Sequence, residues 1–107
     1  MSGLPKTIVL APEEIRIAID EPVSAIVDSV LSCIAQAPPE LSQDLITQGI
    51  HLVGGGGMLR GLDLRLERET KVEVRIVDTP LECVVHGAGR CIESFEALKV
   101  MFLGDKR

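Results

Sequence analysis

Four consecutive glycines are the residues of this sequence with the clearest potential for ligand chemistry. They are Gly54, Gly55, Gly56 and Gly57, and Met58 follows them directly. A main chain without side chains lets a ligand come close, and the amino end of a following helix attracts phosphate. The run therefore predicts a phosphate or nucleotide loop, with a plain strand-to-helix turn as the alternative.

Two common nucleotide motifs do not fit the run. A dinucleotide-binding G-x-G-x-x-G pattern starting at Gly54 or Gly55 meets Leu59 or Arg60 where its third glycine belongs. A P-loop pattern starting at Gly56 reaches a glycine, but the lysine and hydroxyl residue that should follow are missing. No Ser/His/Asp set and no carboxylate pair suggests a complete catalytic site.

The cysteines and histidines are the remaining candidates for chemistry. Cys33, Cys83 and Cys91 lack the short ligand spacing of structural zinc sites, so we expect three small buried apolar residues. A metal site with His51 or His86 is the alternative, and we expect no metal. His86 is expected at the surface.

The first third of the chain predicts an arm and a long amphipathic helix. Residues 7–10 read as a strand or extended arm, and Pro12 with two following glutamates opens a helix. Pro22 predicts a kink or break near residues 20–21. After it, apolar residues at helical spacing predict one buried stripe: Val23, Val27, Val30, Ile34 and Ala37.

The remainder predicts a small α/β unit. We expect a short helix over 41–47 closed by Gly49, a strand over 50–53 buried on both faces, and a helix over 58–69. A half-exposed strand over 72–77 completes a parallel βαβ core, and helices over 81–93 and 95–102 follow. Leu59, Leu62 and Leu66 mark the apolar side of the helix over 58–69, and the tail 104–107 is polar.

Composition limits the possible functions of the chain. It has 107 residues, a net charge of −5, 46% hydrophobic residues and 2% aromatic residues. The core must therefore be aliphatic, and the acidic, aromatic-poor surface predicts no binding to nucleic acid. Apolar runs are too short to span a bilayer and no signal-peptide pattern is present, so a cytoplasmic protein is expected.

Residues 50–63, IHLVGGGGMLRGLD, resemble the adenosine-binding motif of the actin/Hsp70/sugar-kinase ATPases, and more narrowly that of the bacterial actin-like MreB family. Segments at 3–8, 21–27, 38–41, 78–84 and 87–90 are similar to the same family, in order and at matching spacing. The resemblance covers nearly the whole chain. The sequence departs from it at Val53, Gly57 and His86, where family members usually carry Thr, Ala and Arg.

The resemblance implies a partial actin-like (ribonuclease H-like) ATPase lobe. The chain would be a single partial domain, with 1–11 as an arm from the small subdomain and 12–107 as part of the second-lobe large subdomain. The glycine run and Met58 would approach the ribose, adenine and α-phosphate of ATP, held with Mg²⁺ in the full-length protein. Asp78 is a weaker candidate for the same rim, and its alternative role is to cap a helix that begins at Pro80.

The resemblance also implies partners. Gly87, Ala88 and Gly89 would let a helix pack against the other lobe, and its face would be an exposed apolar patch in the isolated chain. Neighbouring subunits of a filament and elongation-machinery proteins are the expected partners, at the inner face of the cell membrane but without direct membrane contact by this chain.

Without the phosphate-clasping hairpins of the family, we expect neither ATP hydrolysis nor tight nucleotide binding by the chain alone. The alternatives are a stand-alone α/β nucleotide-using transferase and a protein-interaction module.

Overall fold

A long helix, α1 (Pro12–Gln36), dominates the first of two compact units, Met1–Ala37. The computed structural model describes residues 3–102, so the predicted tail lies outside the described residues. The main-chain N–H of Ala11 donates to the Glu14 carboxylate at 2.8 Å, which closes the helix start as the Pro-Glu-Glu sequence predicts. The strand expected over 7–10 does not form, because those residues are exposed and pair with no strand.

The predicted break at Pro22 is wrong, because α1 runs through that residue without interruption. Proline removes one main-chain donor, whose acceptor in a regular helix is the carbonyl of Ala18. The intact turns on both sides keep the helix continuous. The predicted stripe of α1 is confirmed, since Val27 is 3% exposed and the other members are half-buried: Val23, Val30, Ile34 and Ala37.

The second unit, Pro38–Arg107, contains the sheet. Its elements follow in the order α2 (Pro39–Gln48), β1 (Ile50–Leu52), a 3₁₀ turn (Gly56–Met58), α3 (Leu62–Thr70), β2 (Val74–Ile76), α4 (Cys83–Glu93) and α5 (Phe95–Phe102). Helix α2 ends at Gly49, which has a φ of 78°, as predicted for a glycine at a helix end.

The two strands form a parallel pair in which Ile50 lies opposite Val74 and Leu52 opposite Ile76. With α3 between them, they are the predicted βαβ core, and the chain is of the α/β class. The expectation that the first strand is buried on both faces is wrong, because His51 is exposed and its neighbours are half-buried. Burial on two faces needs covering layers on both sides of a sheet, whereas α3 packs against the sheet at β2.

The core of this unit is aliphatic, as the composition requires. Leu62 and Leu66 of α3 and Val72 and Val74 at β2 are its buried members. The three cysteines do not belong to it, which corrects the expectation that they are buried. Cys33 is exposed, and Cys83 and Cys91 are half-buried free thiols, because their helices turn these positions away from the buried residues.

The two last helices carry exposed apolar side chains, as do the arm and α1. The predicted exposure of the α4 face is confirmed by Val84, Val85 and Ile92, and α5 continues it with Phe95, Val100 and Phe102. Over residues 3–102, no helix combines the length and the hydropathy that crossing a membrane requires.

Candidate functional site

The glycine run lies where the carboxyl ends of the two parallel strands meet. It follows β1 after Val53, and residues 77–82 follow β2 and lead into α4. In open parallel sheets, ligands bind beyond this edge because the loops from neighbouring strands come together there. The βαβ topology therefore places the run at a position suited to a ligand.

The first glycine ties the two loops together. The main-chain N–H of Gly54 donates to the carbonyl oxygen of Pro80 with an N–O distance of 2.7 Å. Gly54 has a φ of 77°, a left-handed conformation that residues with a Cβ adopt at a cost. Gly54 is therefore required by the turn itself.

The last glycine packs closely against the first strand. Gly57 is buried, and a Cβ built on it would lie 3.2 Å from the Cβ of Leu52 and 3.4 Å from its carbonyl carbon. The loop thus folds back closely onto β1, and a methyl group at this position would need Leu52 or the turn to shift by a few tenths of an ångström. The predicted contact of Gly57 with a nucleotide stays a prediction.

The two middle glycines have no such structural requirement. Gly55 and Gly56 are exposed, and neither has a positive φ. A Cβ on Gly56 would meet nothing within 4 Å, and one on Gly55 would meet only the Leu81 side chain at 3.4 Å. A bare, exposed main chain that the fold does not need is the feature expected where a ligand approaches.

The structure corrects the expectation that a helix starts directly after the glycines. The run continues into a 3₁₀ turn, in which the N–H of Met58 donates to the Gly55 carbonyl at 3.1 Å. Helix α3 begins only at Leu62, after Gly61 with a φ of 88°. The amino end of α3 is thus separated from the glycines by the turn, because left-handed Gly61 resets the chain direction. Met58, the last residue of the 3₁₀ turn, is 53% exposed.

Asp78 is exposed in the loop after β2, on the same side of the sheet as the glycines. Its alternative role as a helix cap is wrong, because α4 begins at Cys83 with Glu82 as the capping position. Pro80 and the residues after it form a turn instead of a helical start, since the Pro80 carbonyl is engaged by Gly54. The contribution of Asp78 to a ligand rim stays a prediction.

The predicted packing residues of the last third of the chain lie on α4 and not in the glycine loop. Gly87, Ala88 and Gly89 are exposed on α4, and a Cβ on either glycine meets nothing within 4 Å. A shallow groove on this helix is lined by Val85, His86, Gly89, Arg90 and Glu93. His86 is exposed there, as predicted.

The pKa of a carboxyl group is perturbed near the start of β2, at the end of the strand away from the glycine run. Arg75 donates two hydrogen bonds to the Glu73 carboxylate, at 2.8 and 2.7 Å. These bonds, with the charge of Arg75 and a smaller effect of His51, hold the pKa of Glu73 below its ordinary value. The pair lies at the start of β2, so it is a feature of the strand rather than of the ligand rim.

Sequence patterns missed Pro80 and Leu81 as parts of the site. A proline in a loop predicts a turn, but it does not predict which main-chain donor its carbonyl accepts. Sequence patterns likewise did not predict the close approach of Gly57 to Leu52. The available signal was a glycine at the end of such a run, which often marks a close approach of two main chains.

Comparisons with known proteins place the chain in a family. The sequence profile of a family described as "MreB/Mbl protein" matches residues 1–100. The cell shape-determining protein Mbl of Bacillus cereus is 41% identical over 98 residues, which is 92% of this chain and 29% of that protein. Mbl of Bacillus subtilis is 39% identical over the same shares, and the cell shape-determining protein MreB of Escherichia coli is 39% identical over 88% of this chain and 27% of its own length. The chain thus spans less than a third of these curated relatives.

Proposed function

This chain belongs to the MreB/Mbl family, whose curated members are named cell shape-determining proteins, and on that premise we propose that it supplies the adenosine side of an ATP site in an actin-like filament protein. In this proposal, residues 1–11 are an arm from the small subdomain. Residues 12–107 are part of the large subdomain of the second lobe. The whole protein controls rod cell shape.

The observation that supports the proposal is that the four glycines have different structural roles. Gly54 is needed by the turn and Gly57 packs closely against Leu52, whereas Gly55 and Gly56 are bare without a structural reason. Such a main chain at the carboxyl edge of a parallel sheet accommodates the ribose and base of a nucleotide. Met58 and Leu81, both exposed beside it, offer apolar surface to a flat ring.

The same site explains why we propose no catalysis by this chain. Phosphoryl transfer depends on positioning the phosphates and compensating their charge, which requires cations and hydrogen-bond donors around the γ-phosphate. The glycine loop contributes main-chain atoms and apolar side chains to the other end of the nucleotide. ATP with Mg²⁺ is therefore the proposed ligand of the longer protein, and the isolated chain is proposed to hold it weakly.

Partners follow from the proposed role. The small-residue face of α4 at Gly87, Ala88 and Gly89 is exposed, which suits close packing of another helix from a second lobe. We propose neighbouring subunits and elongation-machinery proteins as partners, at the inner face of the cell membrane. Contact with the lipid itself is not assigned to this chain.

A chimera tests the proposal. Residues 1–100 of this chain replace the matching segment of full-length Escherichia coli MreB, and binding of a fluorescent ATP analogue with Mg²⁺ is measured by anisotropy. We expect binding by the chimera and a loss of at least about tenfold on Gly56→Val, equivalent to roughly 1.4 kcal/mol. Ala97→Val on exposed α5 is the matched control, because it adds an exposed valine away from the loop.

Two results would overturn the proposal. Unchanged nucleotide affinity of the Gly56→Val chimera would show that the glycine run is only a turn. Micromolar binding or turnover of ATP by the 107-residue chain alone would instead favour a stand-alone nucleotide-using enzyme. Restoration of rod shape by the chimera in cells that lack their own MreB is the matching functional readout, with the Gly56→Val chimera expected to fail.

A further inference from the structure

The two edges of the β1–β2 sheet are not equivalent. The N–H of Ile50 donates to the Glu73 carbonyl at 2.8 Å, and the N–H of Val77 donates to the Leu52 carbonyl at 3.3 Å. Main-chain groups alternate in direction along a strand, so the N–H groups of Val74 and Ile76 point away from β1, and Val72 precedes the strand. These outward donors are the groups that a further strand would use to add to the sheet at β2.

The first outward donor of β2, at Val74, and the donor just before the strand, at Val72, are already taken by side chains of α3. The N–H of Val74 donates to Oε2 of Glu67 at 3.2 Å, and the N–H of Val72 donates to Oγ1 of Thr70 at 3.2 Å. The Thr70 hydroxyl is itself held in place, because it donates to the carbonyl of Leu66 at 2.8 Å. Two residues of one helix therefore occupy the first outward donor of β2 and the donor just before the strand.

A charged side chain along an edge also penalises an approaching strand. Edge strands with unpaired main-chain groups are templates for pairing with other chains, and charge near the edge opposes such pairing. A strand arriving at β2 would have to displace the Glu67 carboxylate from the Val74 N–H and leave it against incoming main-chain carbonyls. This cost is specific to the β2 side.

We propose that Glu67 and Thr70 close the start of the β2 edge against pairing with a second copy of this chain. Addition of an extended segment is thereby left to the β1 side, where the main-chain groups of exposed His51 point away from β2. This role does not depend on nucleotide binding, so its test is independent of the proposed function.

The test measures proximity between copies at β2. The three cysteines are replaced by serine, and a spin label is attached to Ile76→Cys, an exposed β2 position. Pairing of strands about 5 Å apart brings labels of two copies close together, and this is read as dipolar broadening of the continuous-wave electron paramagnetic resonance spectrum. We expect a several-fold rise in close label pairs for Glu67→Ala and none for Glu67→Gln, which keeps an oxygen acceptor.

Matched variants separate the edge from general charge and from loss of folding. Glu69→Ala removes the same charge from α3 without touching the Val74 donor, and it should behave like the parent chain. Thr70→Val, compared with Thr70→Ser, repeats the test at the Val72 donor if Glu67→Ala reduces helical circular dichroism. Equal numbers of close pairs in Glu67→Ala and Thr70→Val and in their conservative partners would overturn the proposal.

Discussion

Gly54 and Pro80 are joined by a main-chain hydrogen bond of 2.7 Å between the Gly54 nitrogen and the Pro80 oxygen. This bond ties the loop after β1 to the loop after β2, at the edge where both parallel strands end. It also leaves Gly55 and Gly56 on the exposed side of the junction. Helix α4 begins three residues after Pro80, so the same junction determines where that helix starts.

Gly54→Ala should lower the free energy of unfolding of the chain by about 1–2 kcal/mol, because a residue with a Cβ at a φ of 77° is strained. Chemical denaturation followed by circular dichroism measures the change. Gly56→Ala adds the same methyl group in open space at an ordinary φ, and it should change stability by less than about 0.5 kcal/mol. Equal effects at both positions would contradict the conclusion that the turn needs Gly54 but not Gly56.

Gly57→Ala should destabilise the chain by about 1 kcal/mol through overpacking against Leu52. The new Cβ would lie 3.2 Å from the Leu52 Cβ, so the 3₁₀ turn must move away from β1. Denaturation measures the stability, and amide exchange of Met58 and Leu59 reports opening of the turn. Unchanged exchange at both amides would show that the turn accommodates the methyl group without moving.

Arg75→Gln should raise the pKa of Glu73 toward its ordinary value of 4.5, because the hydrogen bonds and charge of Arg75 hold it lower. A carboxyl group with a pKa lowered by folding stabilises the protein above its unfolded pKa, and that contribution is lost as the pH falls through the folded pKa. NMR titration of the Glu73 carboxyl measures the shift. Arg68→Gln is the control, and an equal shift in both variants would assign the effect to general charge.

Gly87→Ala should have opposite effects in two settings. In the 107-residue chain it should stabilise α4 by about 0.5–1 kcal/mol, because the position is helical, exposed and free of neighbours within 4 Å. In the chimera with Escherichia coli MreB it should impair restoration of cell shape, since the added methyl group would separate closely packed helices. If Gly87→Ala improved both the stability of the chain and the restoration of cell shape, the proposed packing role of Gly87 would be wrong.

Pro22→Ala should stabilise α1 by up to about 3 kcal/mol, because the helix is continuous and alanine restores the donor to the Ala18 carbonyl. The helical signal at 222 nm and its thermal midpoint measure the change. Glu21→Ala, one residue earlier, changes propensity without restoring a donor and should have a much smaller effect. No difference between the two variants would show that the missing hydrogen bond carries no cost here.

Periodic patterns predicted most elements of the fold. The stripe from Val23 to Ala37, the close of α2 at Gly49 and the parallel strand pair around α3 all follow from spacing that one element needs by itself. Errors arose where neighbouring structure decides. Pro22 stays inside a helix, and the start of α4 moves from residue 81 to Cys83 because the preceding turn is held by Gly54.

The resemblance and the chemistry of the glycine run were likewise available before any coordinates, and they led to the MreB/Mbl family that the comparisons show. The burial of the cysteines was not predicted correctly, because apolar character alone does not say which side of a helix faces a core. The hydrogen bonds that Glu67 accepts from Val74 and Thr70 from Val72 were also not predicted. They join residues whose proximity depends on the turn at Lys71.

The order of residues alone decided the class of the fold, the aliphatic core and the position of the glycine loop after the first strand. These properties depend on local spacing and on residue chemistry. Only the tertiary structure decided which glycines the fold needs and which are left bare. That distinction depends on atoms far apart in the sequence, the Leu52 Cβ near Gly57 and the Pro80 oxygen near Gly54, and their distances exist only once β1 and β2 have paired.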